Sequence, residues 1–100
     1  MAYVVAPAAL GEIQRIIAFI GRDNRIAARN FRRELEAKFV TLAARPEAFR
    51  LREEFGRQIR VAHHGSYLIL FRAVSVKTVR IVRIIHGSRD LMKLLKDDPA

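Results

Sequence analysis

Seven basic side chains in the second half of the chain have the chemistry to bind or cleave a phosphate ester. Arginine presents a planar fork that pairs with two phosphate oxygens, and histidine exchanges a proton near neutral pH. A histidine among several arginines could therefore hold a phosphodiester and act as its acid or base. The same arginines could instead be charges at a sheet edge that prevent aggregation. The residues are Arg57, Arg60, Arg72, Arg80, Arg83, His86 and Arg89.

Other catalytic and metal-binding patterns are absent from the sequence. His63 and His64 are neighbours in or beside a predicted strand, so their side chains should point to opposite faces and do not favour a shared metal ion. The glycines form neither a phosphate-binding loop nor a dinucleotide fingerprint, and no serine lies in a nucleophile elbow. The chain has no cysteine, which excludes disulfides and thiolate metal sites. We therefore expect no metal and no cofactor.

The net charge indicates a macromolecular partner. The chain has 19 Lys and Arg residues against 10 Asp and Glu residues, which gives a formal net charge of +9. Fifteen of the cations are arginines, whose side chains suit carboxylates and phosphates. A nucleic acid, an acidic protein or an anionic membrane surface fits this charge, and the alternative is a charged surface that only keeps the protein in solution.

The composition indicates a folded protein outside the membrane. Hydrophobic residues make up 51% of the 100 residues, too many for a disordered chain. No run approaches the roughly 20 apolar residues of a membrane-spanning helix. The N-terminus lacks the basic leader and the cleavage site of a secretory signal. We expect a single domain, residues 1–100, in a reducing cytoplasm.

The first half of the chain predicts a strand followed by a helical hairpin. Tyr3-Val4-Val5 is an apolar run that ends before Pro7, and Pro7 fits the first turn of a helix. Apolar residues then recur every three or four positions up to Gly21, which we expect to end this helix. The Asp23-Asn24 pair can cap a second helix that ends near Pro46. Because the linker is short, the two helices should pack antiparallel.

The second half changes to the alternation of β-strands. Residues 58–63 alternate, residues 66–72 form a near-continuous apolar run, and residues 78–85 are rich in β-branched side chains. His64-Gly65 is the predicted hairpin turn, and Ser88 can cap a short C-terminal helix. The predicted fold class is α+β: an N-terminal strand, an antiparallel helical hairpin, a three-stranded antiparallel meander and a short C-terminal helix, with helices on one face of the sheet.

Two segments carry a resemblance to a known family. They are Arg60-Val-Ala-His-His-Gly-Ser-Tyr67-Leu-Ile-Leu-Phe-Arg72 and Val82-Arg-Ile-Ile-His86-Gly-Ser-Arg89-Asp90-Leu. With the opening strand, the helical hairpin and the Leu42-Ala-Ala-Arg-Pro46 segment, their order and spacing closely resemble the RelE/ParE family of bacterial toxins. These toxins belong to type II toxin–antitoxin systems. The resemblance covers nearly the whole chain and implies the RelE/ParE-like α+β fold.

The family has two branches with different activities. RelE-like members cleave mRNA on the ribosome, using lysines and arginines on the sheet and a tyrosine near the C-terminus, whereas ParE-like members are associated with inhibition of DNA gyrase. Arg89 matches the tail arginine of the family, but Leu95 stands where the RelE-type tyrosine would, and no tyrosine follows Tyr67. The resemblance is therefore closest to the ParE branch, which implies no catalytic residue. The alternative is a ribosome-dependent mRNA endonuclease of the RelE type, with Arg60, His86 and Arg89 as catalytic residues.

The resemblance implies two partners, an antitoxin and DNA gyrase. The antitoxin would be a ParD-like protein whose acidic C-terminal segment folds onto the toxin and forms a hetero-oligomer with it. Its expected contacts are Ile16, Phe19 and Phe31 on the hairpin and Arg57, Arg72 and Arg80 on the sheet, although the apolar ones could also be ordinary core. For gyrase we hypothesise contacts at Arg60, Arg83, Arg89 and Met92. A third hypothesis, a nucleic-acid-binding module without toxicity, predicts direct and salt-dependent binding of DNA or RNA.

Overall fold

The computed structural model describes residues 2–88, which form two α-helices and four strands. Strand β1 spans Ala2–Val5, helix α1 spans Pro7–Asp23 and helix α2 spans Arg25–Ala44. Two short 3-10 helices, Pro46–Ala48 and Glu53–Phe55, lead to strands β2 (Arg60–His64), β3 (Tyr67–Ala73) and β4 (Thr78–His86). The predicted C-terminal helix lies outside the described residues.

The four strands form one mixed sheet in the order β1-β4-β3-β2. Strands β2, β3 and β4 pair antiparallel in chain order, which confirms the predicted meander and the α+β class. Strand β1 pairs parallel with the first half of β4, as far as Val5 beside Ile81. The chain between these two parallel strands includes the helical hairpin, β2 and β3, so it is long enough for the crossover that a parallel pair needs. A register shift between Leu70 and Phe71 leaves Val82 as an extra residue on β4.

The main hydrophobic core lies between the helices and one face of the sheet, called here the helix-covered face. The apolar stripe of α2 is buried as its spacing predicts, with Ala28, Phe31, Leu35, Phe39 and Leu42. The sheet contributes Ala62, Ile69, Phe71, Val79, Ile81 and Ile84. Burying one large apolar side chain stabilises a fold by about 1.5–3 kcal/mol before its ordering entropy is counted. Within residues 2–88, no helix has the length and hydropathy that crossing a membrane requires.

The opposite face of the sheet, called here the outer face, carries a second and smaller cluster. It is built from Phe55, Ile59, Val61, Leu68, Leu70 and Ile85. Because side chains alternate along a strand, residues 68, 70 and 72 of β3 share the outer face, whereas residues 69 and 71 belong to the main core on the helix-covered face.

The end of α1 differs from the prediction. Gly21 does not adopt a positive φ, and the helix continues to Asp23. Asn24 ends it instead, with an extended φ of −156°. The Asn24 side chain accepts a hydrogen bond from the Ala27 N–H at 2.9 Å and caps α2. One asparagine therefore stops the first helix and starts the second.

The turn between β2 and β3 also differs by one residue. His64 is the last residue of β2, and the two turn residues are Gly65 and Ser66. Gly65 has a φ of +57°, which glycine adopts without strain and which a type II′ turn requires at its first central position.

Candidate functional site

A groove of about 400 Å³ lies between α1 and α2, beside β1. Its apolar lining consists of Tyr3, Val5, Leu10, Ile13, Ile17, Ala18, Leu35 and Phe39, and its polar lining of Gln14, Arg32 and Glu36. The rings of Tyr3 and Phe39 meet edge to face with centroids 5.3 Å apart. Such aromatic pairs hold a fixed geometry, so β1 and α2 give the groove a preformed wall.

The groove exists because the apolar stripe of α1 is wider than the sheet can cover. Ile13, Ile16 and Ile20 follow a helical period and pack against the core. Leu10 and Ile17 lie on the groove side of the same helix, and Leu10 is 48% exposed. A contiguous apolar strip left partly in water is typical of a surface that binds a partner.

Exposed arginines follow one side of α2. Arg25, Arg29 and Arg33 repeat every four residues, so they share one side of the helix, and all three are exposed. Arg32 lines the groove and pairs with Glu36 at 3.5 Å. This ion pair contributes little to stability because its side chains are 70% and 58% exposed. Helix α2 therefore contributes both apolar lining to the groove and a row of exposed arginines outside that lining.

The apolar residues predicted to contact an antitoxin have different environments. Phe19 on α1 is 63% exposed, whereas Ile16 is half-buried against the core. Phe31 is buried, and its ring meets that of Tyr67 edge to face at 5.6 Å. Phe31 is thus a core residue that offers almost no surface to a partner.

The arginines predicted for the same partner do not lie beside the hairpin residues. Arg57 is exposed in the turn that precedes β2. Arg72 and Arg80 lie on the outer face of the sheet, because the residues that precede them, Phe71 and Val79, belong to the main core on the helix-covered face. The structure therefore divides the predicted antitoxin contacts between two faces of the molecule.

Two predicted gyrase contacts, Arg60 and Arg83, are held by bonds within the protein. Arg60 donates a hydrogen bond to the backbone carbonyl of Phe49 at 2.7 Å and ties the segment after α2 to β2. Arg83 donates from Nε to Glu12 Oε2 at 2.8 Å, and its Nη2 lies 2.6 Å from the same oxygen. Glu12 Oε1 accepts the Ile84 N–H at 2.8 Å. The other two predicted contacts, Arg89 and Met92, lie outside the described residues.

The described residues of the alternative ribonuclease site do not converge. Arg60 lies beside Phe71 in the sheet register, and His86 lies beside Tyr67. These rows are four residues apart along β3, or about 13 Å at the rise of a strand. The His86 Nδ1 atom lies 3.0 Å from the Ser88 hydroxyl, and its ring meets Tyr67 edge to face. Arg60 is thus engaged by the Phe49 carbonyl, and its backbone lies about 13 Å along the strands from that of His86.

The model of one protein family matches most of this chain. The family is described as ParE toxin of type II toxin-antitoxin system, parDE, and the match covers residues 3–91. The chain belongs to the ParE toxin family. No curated protein matches it. The match confirms the resemblance seen in the sequence and assigns the protein to a toxin–antitoxin system, in which an antitoxin is the partner of the toxin.

In this ParE-family toxin, the groove residues are the ones that sequence reasoning missed. The expected contacts on α1 were Ile16 and Phe19, but Leu10 and Ile17 line the groove. The signal was the Ile16-Ile17 doublet, because successive residues on a helix point about 100° apart and cannot both face one sheet. Glu12 was also missed, since its hydrogen-bond partners follow 71 and 72 residues later in the chain.

Proposed function

We propose that this toxin inhibits DNA gyrase and is neutralised by an acidic segment of its antitoxin. The observation that carries the choice of gyrase is the separation of Arg60 from His86, about 13 Å along the strands. A general acid or base must come within about 3 Å of the atom that it serves. Leu95 at the position of the RelE-type tyrosine supports the same choice. The proposed mechanism has no catalytic step, and toxicity comes from binding the target.

The groove between α1 and α2 supports the antitoxin part of the proposal. An amphipathic helix binds by inserting its apolar side chains into a groove of this kind. Leu10 and Ile17 would receive those side chains, and Arg29 on α2 would pair with carboxylates on the polar side of the helix. Positive charge also speeds the encounter with an acidic segment, an effect that weakens as salt rises.

Whether the antitoxin reaches the other predicted contact residues depends on how far its segment extends beyond the groove. Ile16 and Phe19 belong to α1 but do not line the groove, so only a segment that extends beyond the groove would reach them. Arg57, Arg72 and Arg80 would be reached only by a chain that continues from the groove around the sheet to its outer face.

A paired assay tests the target. Full-length toxin is added to purified gyrase with relaxed plasmid and, separately, to ribosomes programmed with mRNA. We expect inhibited supercoiling or trapped cleaved DNA, together with intact mRNA. Cut mRNA with unaffected gyrase would overturn the proposal and favour the RelE-type activity.

A His86→Gln variant sharpens the comparison between the two activities. Glutamine keeps a hydrogen-bonding side chain near Ser88 but cannot exchange a proton near neutral pH. Inhibition of gyrase should be unchanged in this variant, because binding needs no proton transfer. Loss of toxicity in a variant that still folds would instead indicate that the imidazole takes part in chemistry.

A further inference from the structure

Arg72 and Arg80 form a like-charged pair on the outer face of the sheet. They are directly opposite in the register of β3 and β4. Residues in such positions have Cβ atoms about 4.5–5.5 Å apart. Val4 continues the row on β1, opposite Arg80, and is 47% exposed. Two guanidinium groups and one small apolar side chain therefore occupy adjacent strands.

This pair has no counter-charge in the part of the chain that the structure describes. Between residues 2 and 88, no carboxylate lies within 4.0 Å of either guanidinium. Arg80 is exposed and Arg72 is half-buried. Like charges directly opposite in a sheet are destabilising. Within residues 2–88 this like-charged pair therefore lacks a carboxylate, and a bound anion would relieve its repulsion.

Arg52, near the smaller outer-face cluster, shows how an arginine can instead be paired with a carboxylate of the same protein. Arg52 lies over the ring of Phe55 at 5.1 Å and donates a hydrogen bond to Glu54 at 2.7 Å. This hydrogen bond holds the pKa of the Glu54 carboxyl below its usual value. Arg52 is therefore neutralised locally, in contrast to the pair on β3 and β4.

The phosphates of a nucleic acid fit the pair better than an acidic peptide does. A guanidinium binds a phosphate through two parallel hydrogen bonds. Double-stranded DNA presents one negative charge about every 1.7 Å of its axis. Two adjacent arginines on a flat surface can therefore each contact a phosphate, and no pocket is needed. An acidic peptide needs apolar contacts as well, and the groove that offers them lies on the opposite side of the sheet.

The aromatic residues favour a duplex over a single strand. Proteins that bind single-stranded nucleic acid stack its bases on exposed aromatic rings. All eight Phe and Tyr residues fall between residues 2 and 88, and on the outer face the aromatic residue is Phe55, which is 7% exposed. Among the described residues, the outer face therefore has no exposed Phe or Tyr ring on which bases could stack. A duplex needs none, because it exposes its phosphates.

We propose that the outer face, through Arg72 and Arg80, binds the phosphate backbone of double-stranded DNA. A backbone contact carries no sequence information, so duplexes of different sequence bind equally. The contact needs DNA but not gyrase, and it therefore goes beyond the proposed function.

The test measures binding of full-length toxin to a short labelled duplex over a range of salt concentrations. The Arg72→Gln/Arg80→Gln variant should lose at least about tenfold in affinity at low salt. The slope of log K against log salt should fall by about two units, since each phosphate contact contributes about 0.9. The matched control is Arg15→Gln/Arg22→Gln, which removes the same charge from exposed positions on α1 and should bind nearly as well as the unmodified toxin.

Several outcomes would overturn the proposal. They are equal losses in the two double variants, tighter binding of a single strand of the same length, and no duplex binding by the unmodified toxin. Should the outer-face variant fail to fold, NMR titration of the unmodified toxin decides the matter. The duplex should shift the backbone amides of Arg72 and Arg80, and shifts confined to α2 would contradict the assignment.

The gyrase assay and the duplex-binding assay test the two proposals independently of each other. Inhibition of gyrase by a toxin that does not bind the duplex would reject only the DNA contact. Duplex binding through Arg72 and Arg80 with unaffected gyrase would reject only the gyrase target.

Discussion

At the scale of single residues, Glu12 completes the edge of the sheet. Strand β4 has nine residues and β1 has four, so β1 ends beside Ile81 while β4 continues. Beyond that point the Glu12 carboxylate accepts the Ile84 N–H and pairs with Arg83. The Glu12 side chain is 13% exposed, so little water is available to replace it.

Removing this carboxylate should destabilise the protein. Glu12→Ala leaves the Ile84 N–H without its acceptor and removes the charged hydrogen bond from Arg83, which we expect to cost about 2–3 kcal/mol of unfolding free energy. Glu12→Gln should cost less, because an amide oxygen can still accept from Ile84. Urea and thermal unfolding followed by circular dichroism measure both variants.

A second glutamate provides the control for this experiment. Glu36→Ala breaks an exposed pair with Arg32, which is worth at most about 0.5 kcal/mol. The assigned role of Glu12 is wrong if its alanine variant is no less stable than that of Glu36.

At the scale of elements, the two sides of α1 have different roles. One side packs on the sheet through Ile16 and Ile20, and the other lines the groove through Ile17. Ile17→Lys puts a charge where an antitoxin would bury apolar side chains, and we expect affinity for the cognate antitoxin to fall by at least about tenfold. Calorimetric titration measures the affinity, and circular dichroism checks that α1 is intact.

Ile26→Lys is the matched control for the groove. Ile26 is 70% exposed on α2 and does not line the groove, so the same substitution there should leave antitoxin affinity unchanged. Equal losses at the two positions, or normal binding by Ile17→Lys, would place the antitoxin elsewhere on the surface.

The elements also show which parts of the structure the sequence predicts. The stripe of α2 and the alternation in β2 are local periods, so the hairpin and the meander follow from them. The pairing of β1 with β4 joins segments more than seventy residues apart and leaves no local period. The groove is less predictable from the sequence because it too forms between segments that are distant in the chain. Periodicity shows that Leu10 and Ile17 are on an apolar side of α1, but only the packed hairpin shows that they line a groove that stays partly open to water.

At the scale of the whole molecule, the net charge of +9 determines how stability responds to salt. Salt weakens the attraction within ion pairs and the repulsion among the cations. In residues 2–88 most of the ion pairs are at least partly exposed, and such pairs contribute about 0–1 kcal/mol each. The 19 cations outnumber the 10 carboxylates, and the excess cations repel one another throughout the molecule. This repulsion is therefore larger than the attraction within the ion pairs.

Added salt should therefore stabilise this toxin. Raising NaCl from about 10 mM to about 100 mM shortens the screening length from about 30 Å to about 10 Å. The radius of gyration is 13.4 Å, so this change converts repulsion across the whole molecule into repulsion between near neighbours. A gain of 1 kcal/mol would raise the unfolding midpoint by about 4–8 °C, a shift that thermal melts resolve. The Arg25→Gln/Arg29→Gln variant, which loses two positive charges, should show a smaller rise. A midpoint that falls with salt would mean that ion pairs such as Arg83–Glu12 outweigh the excess charge.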